Sequence, residues 1–98
     1  PKPLLLAALA GCTGMDIVSL LRKMREPLTW FNMKVAAELT DEHPKRYTFF
    51  SITFQFKASD GLGQENVHKA VALSQEKYCG VAATLRAAGP LAWNIEYL

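Results

Sequence analysis

Two thiols hold most of the nucleophilic and redox chemistry this sequence has to offer. Cys12 and Cys79 are its only cysteines, and most of the 98-residue chain separates them. A thiolate is a strong nucleophile, and two thiols brought together can exchange with a disulfide. Two buried cysteines can equally serve as small hydrophobes. Their surroundings in sequence differ. Asp16 follows Cys12 by one helical turn and Ser19 continues the same stripe, so the carboxylate shares the face of the thiol. A carboxylate beside a thiol raises its pKa, and a reactive Cys12 would need a cationic partner for Asp16. Cys79 falls at a break, Tyr78-Cys79-Gly80-Val81, near the start of a short helix. Free backbone N–H groups there favour a thiolate.

Other chemistries find little support. There is no CxxC and no Cys/His cluster with zinc spacing. His43 and His68 lie far apart, one in a polar connection and one on a helix, and neither has a ligand-like neighbour. No glycine-rich phosphate loop and no Ser/His/Asp arrangement is present. The net charge is only +2, with Lys and Arg scattered, which argues against nucleic acid. Two cysteines exclude a disulfide-rich secreted scaffold.

The element that must position Cys12 is Leu4 to Arg25, LLLAALAGCTGMDIVSLLRKMR. Its first half is apolar on every side, which demands cover all round. Pro3 suits a first helical turn, and the helix is expected to run to about Glu26, where Pro27 stops it. Gly11 and Gly14 flank the cysteine, implying close approach of another backbone or open space at the sulfur. The run Leu4–Leu21 is at the lower edge of membrane-spanning length, but Asp16 at its interior opposes insertion. Leu9-Ala10-Gly11-Cys12 has the look of a lipoprotein signal, yet Met15, Ile17, Val18, Leu20 and Leu21 continue an apolar helical face instead of a polar tether. The expectation is a core helix, with no membrane partner.

From Leu28 to Thr40 the period becomes two, with Phe31, Met33, Val35, Ala37 and Leu39 on one face. Tyr47 to Ala58 repeats the pattern with Phe50, Ile52, Phe54 and Phe56, giving an antiparallel hairpin whose apolar face covers one side of the opening helix. A helix from about Gln64 to Lys77 follows, burying Val67, Ala70, Val71 and Ser74. A short helix with Val81, Ala82 and Leu85 ends at Gly89-Pro90, and a last strand runs from Leu91 to Leu98. The chain reads as one α+β domain, residues 1–98. It starts without Met, directly at a helix that needs more cover, and so reads as a segment whose upstream part is missing.

Three stretches, LLLAALAGCTGMDIVSLLRKMR, EHPKRYTFFSITFQF and AVALSQEKYCGVAATL, together resemble the OsmC/Ohr family, the osmotically inducible and organic-hydroperoxide-resistance proteins. The likeness covers essentially the whole chain and is similar to that family's second half. It implies a central buried helix against an antiparallel sheet, with the upstream N-terminal strands of the domain missing here, in an intertwined homodimer. It implies a peroxidatic thiol at Cys12 and a resolving thiol at Cys79. The implied activity is reduction of organic hydroperoxides with a dithiol reductant, lipoyl in well-studied members, and with no metal, haem or other cofactor. The family's activating arginine and its glutamate partner come from upstream of the helix. After Cys12 the best-characterised members have a bulky apolar residue, whereas here Thr13-Gly14-Met15-Asp16 follows, as in a less-characterised branch. Two reduced cysteines fit a cytoplasmic location. The alternative is a non-enzymatic dimer of the same fold that binds a small hydrophobic ligand.

Overall fold

Period-two alternation builds the sheet. The computed structural model describes all 98 residues. Strand β1 (Phe31–Leu39) pairs antiparallel with β2 (Tyr47–Phe56), and β3 (Leu91–Tyr97) joins the other edge of β2 in parallel. The hairpin is therefore antiparallel as expected, while the whole sheet, ordered β1-β2-β3, is mixed. The parallel pair requires a long crossover, which is supplied by helix α2 (Gln64–Leu73), a π-helical turn (Ser74–Tyr78) and helix α3 (Gly80–Arg86).

One face of the sheet carries rows of apolar side chains in register: Val35–Ile52–Trp93, Met33–Phe54–Ile95 and Phe31–Phe56–Tyr97. Phe50, Ile52, Phe54 and Phe56 on the central strand are fully buried. The opposite face is polar, where Asn32 Nδ2 donates to Gln55 Oε1 (2.9 Å) and Thr53 Oγ1 to Asn94 Oδ1 (2.9 Å). Leu39 keeps the phase of its row, opposite buried Tyr47, but at the end of edge strand β1 it is exposed. The register shift there leaves Thr48 of β2 as the extra residue, so the alternation of β2 reverses beyond it and Tyr47 turns inward.

Helix α1 (Pro3–Lys23) lies on the apolar face of the sheet and also packs against α2, α3 and the π turn. It ends at Lys23, short of the expected Glu26. Arg25 adopts a left-handed conformation (φ 58°), its N–H donates to the Arg22 carbonyl, and the Glu26 N–H donates to that of Leu21. This is a Schellman closure, so the chain turns before Pro27 is reached. The helix is long and apolar enough to span a bilayer by composition, but it is a packing helix here. Only one stripe of it, Leu9, Thr13, Ile17 and Leu21, is buried. The opposite stripe, with Leu4 71% and Met15 77% exposed, lies open. The cover needed all round the helix is thus present on one side.

Two loop carboxylates tie the elements together. Glu26 accepts from Asn66 Nδ2 and from the Gly63 N–H, each at 2.8 Å, placing a negative charge at the N-terminus of α2. Asp60 accepts from Thr29 Oγ1 and the Thr29 N–H. These bonds hold Glu26 below its ordinary 4.5 and Asp60 below its ordinary 3.8. Groups with depressed folded-state pKa values stabilise the fold above their ordinary values, and that stabilisation is lost as pH falls through the folded values. Acidification from pH 7 to 3 is therefore expected to lower the melting temperature less in a Glu26→Gln/Asp60→Asn variant than in the parent chain. Equal drops in paired thermal melts would show that the two tethers carry no such linkage.

Candidate functional site: a thiol pair beneath the first helix

The two cysteines come together. Cys12 projects from the middle of α1, half-exposed, and Cys79 closes the π turn and caps the N-terminus of α3 at 3% exposure. Their sulfurs and the Asp16 carboxylate all lie within 4.8 Å of one another. The proximity has a local cause. Helix α2 does not continue to Lys77 as expected but widens into a π turn from Ser74. The wider turn brings Ser74 and Gln75 inward against α1 and ends the helix so that Cys79 faces Cys12. Such π insertions recur at functional sites.

A hydrogen-bonded chain fixes Cys79. Gln75 Nε2 donates to Thr13 Oγ1 (3.1 Å), and Thr13 Oγ1 lies 3.3 Å from Cys79 Sγ. The Ala82 N–H donates to the same sulfur at 3.4 Å. Between Thr13 and Cys79 either atom can be the donor, because a hydroxyl oxygen that accepts from Gln75 keeps a second lone pair. The Gln75 backbone carbonyl accepts from Arg86 Nη1. Asp16 Oδ2 accepts from Ser74 Oγ at 3.0 Å, so the carboxylate does have a partner, but a neutral one.

The Cys12 thiol is held above its ordinary value of 9.0. Hydrogen bonding with Cys79 contributes most, then burial and the nearby Cys79 and Asp16 charges, while the Val81 backbone N–H pulls the other way. No cation acts on it. Replacing Asp16 by Asn removes one opposing charge, so alkylation of Cys12 at neutral pH should become faster. The gain should be modest, because the larger contribution from Cys79 remains. Iodoacetamide labelling followed by peptide mass analysis reads it; a slower rate in the variant would contradict this electrostatic reading.

Gly14 and Gly11 resolve the two possibilities raised by their positions. A Cβ on Gly14 would sit 3.3 Å from Met33 Sδ and 3.7 Å from Phe31 Cε2, whereas one on Gly11 would meet nothing within 4 Å. The helix therefore presses on β1 at Gly14 and is open at Gly11. A groove of about 660 Å³ runs along this open side, lined in part by Gly11, Gly14, Met15, Val18 and Phe31. A cleft of about 330 Å³ beside Asp16 is bounded by Ser19, Leu20, Lys23 and Tyr78. His43 and His68 lie outside the site, both exposed, with His68 against the Trp93 ring at 5.5 Å. Thr13, Ser74 and Gln75 had no assigned role from sequence, although a threonine in the apolar stripe Leu9–Ile17 was a legible sign of a buried polar contact.

Comparison with known proteins agrees with this architecture. The model of the OsmC-like protein family matches residues 1–94. Protein YhfA of Escherichia coli K12 is 36% identical over 96 residues, covering 98% of this chain and 71% of the relative. The crystal structure of a hypothetical protein from Aquifex aeolicus VF5 superposes with a TM-score of 0.85 at 26% identity, covering 100% of this chain and 74% of that one. An organic hydroperoxide resistance protein OsmC from Legionella pneumophila superposes with a TM-score of 0.75 at 18% identity, covering 98% and 68%. At that identity the likeness establishes the fold alone.

Proposed function

The chain belongs to the family of OsmC-like proteins, and from that premise we propose that it is a thiol peroxidase for organic hydroperoxides. The observation that supports this most is the pair of sulfurs within 4.8 Å, one half-exposed and one buried. The exposed member meets substrate and the buried one waits for it. The Cys12 thiolate attacks the distal oxygen of the hydroperoxide; the O–O bond breaks, the alkoxide leaves as alcohol after taking a proton, and a sulfenic acid forms. Cys79 then attacks the sulfenic sulfur, an S–S bond forms and water leaves. An external dithiol restores both thiols by exchange. Closing the sulfurs to the roughly 2.05 Å of a disulfide asks for side-chain rotation at Cys12, on the partly exposed side of the pair.

The uncovered stripe of α1 and the groove beside it support a homodimer packed over this face, where upstream strands would also lie. An arginine reaching Cys12 from such a segment would supply the cation that the site otherwise lacks. A cytoplasmic location follows from a mechanism that needs reduced thiols at rest. The groove also favours a second reading, a dimer that binds a small hydrophobic ligand without chemistry.

One measurement separates the readings. A stoichiometric alkyl hydroperoxide should convert the reduced protein to an intramolecular Cys12–Cys79 disulfide, seen as the loss of two hydrogens and of both alkylatable thiols. Two thiols still free after peroxide treatment would leave only the binding module.

A further inference from the structure

Peroxide chemistry uses both sulfurs but leaves Asp16 without a purpose. Its charge opposes the thiolate that chemistry needs, and its only hydrogen-bond partner is the Ser74 hydroxyl. A carboxylate that raises the pKa of the adjacent thiol does not serve a lone nucleophile. Together with the two thiols it is well arranged for a metal ion. We propose that Cys12, Asp16 and Cys79 form a binding site for one thiophilic divalent cation of the Zn²⁺ class.

The geometry suits it. Cys12 and Asp16 are one turn apart on α1 and project from the same face, and Cys79 enters from the start of α3. In a tetrahedral zinc site with bonds near 2.3 Å to sulfur and 2.0–2.2 Å to oxygen, neighbouring donors are roughly 3.6–3.8 Å apart. The three donors here are all within 4.8 Å of one another, so contraction by about 1 Å at most completes the arrangement. Two thiolates select Zn²⁺ or Cd²⁺ over Mg²⁺, Ca²⁺ or Mn²⁺. The ligands are already oriented by outer bonds, Asp16 by Ser74 and Cys79 by Thr13 and Ala82, as metal ligands commonly are.

Three protein ligands leave a fourth position open to water. On binding, the two S–H bonds break, both protons pass to solvent and two metal–sulfur bonds form, with no change in oxidation state. Metal and peroxide therefore compete: the metal-bound dithiolate cannot form the Cys12–Cys79 disulfide, and the disulfide cannot bind the metal.

The test is anaerobic titration of the reduced full-length protein with Co²⁺, followed by Zn²⁺. Sulfur-to-cobalt charge-transfer absorption should saturate at one ion per chain and be abolished by Zn²⁺. Cys12→Ser and Cys79→Ser should each reduce that absorption and weaken binding. Asp16→Asn keeps both sulfurs and an oxygen able to accept from Ser74, so it isolates the carboxylate. It should weaken Co²⁺ binding by at least about tenfold. Absence of charge transfer at millimolar Co²⁺ overturns the proposal. So does an Asp16→Asn variant that binds as tightly as the parent, since that describes chelation by any nearby dithiol. No peroxide enters this assay, so it can fail while the peroxidase reading stands, and the reverse.

Discussion

Cys12→Ser is expected to lower kcat/KM for an alkyl hydroperoxide by about three orders of magnitude or more, the scale on which loss of a covalent nucleophile is felt. Cys79→Ser should behave differently. It should keep a first oxidation at near-normal rate, then stall with a sulfenic acid at Cys12 that dimedone traps, and drift toward sulfinic acid as peroxide accumulates. The division of roles follows from burial, not from hydrogen bonding. The Ala82 N–H donates to the Cys79 sulfur, which taken alone would single out Cys79 as the attacking atom. Yet Cys79 is 3% exposed and Cys12 is only half-buried, so under the proposed mechanism a hydroperoxide would meet Cys12 first. The two considerations make opposite forecasts for the single-turnover burst. A burst retained in Cys12→Ser and lost in Cys79→Ser would reverse the assignment; turnover unchanged in both would remove the peroxidase reading altogether.

Much of this arrangement was readable from residue order, and what was not has a physical cause. Alternation placed Phe50, Ile52, Phe54 and Phe56 on one face, and all four are fully buried. The last strand was equally legible, but its direction was not, because period-two patterning carries no information on whether a neighbour runs parallel. The extra residue of β2, Thr48, was not legible, since a bulge leaves no mark in the alternation before it. The end of α1 was set too late because Pro27 is a visible stop, whereas a left-handed Arg25 is not. At the site, each cysteine could be picked out alone, and the family resemblance paired them. The Gln75–Thr13–Cys79 chain depends on a π turn, which adds one residue per turn without a sequence signature. The three-donor cluster escaped for the same reason: metal spacings are recognised when ligands are close in sequence, and here two lie on α1 and the third arrives from the far end of the crossover.

Phe54→Ala should destabilise the domain by about 3–5 kcal/mol, a large share of the 5–15 kcal/mol available to a typical domain. Phe54 is fully buried at the centre of the sheet face. Its ring lies parallel to Phe31 at 6.5 Å and edge-on to Trp93 at 6.2 Å, and it is flanked in register by Met33 and Ile95. Truncation leaves a cavity bounded by a paired backbone on both sides, which cannot collapse to fill it. Phe49 supplies the control. It is the same residue type on the same strand but outside the inward-facing rows, and it is only half-buried. Phe49→Ala should therefore cost about 1 kcal/mol. A pairing shifted by one residue would exchange the faces and invert that ranking, so denaturant midpoints for the two variants test the register itself. The effect should also reach the site. Phe31 and Met33, which bound the cavity, are the side chains that Gly14 approaches two residues from Cys12. Loss of Phe54 should thus loosen the seat of α1 and slow formation of the Cys12–Cys79 disulfide even under conditions where the variant remains folded, whereas Phe49→Ala should leave that rate unchanged.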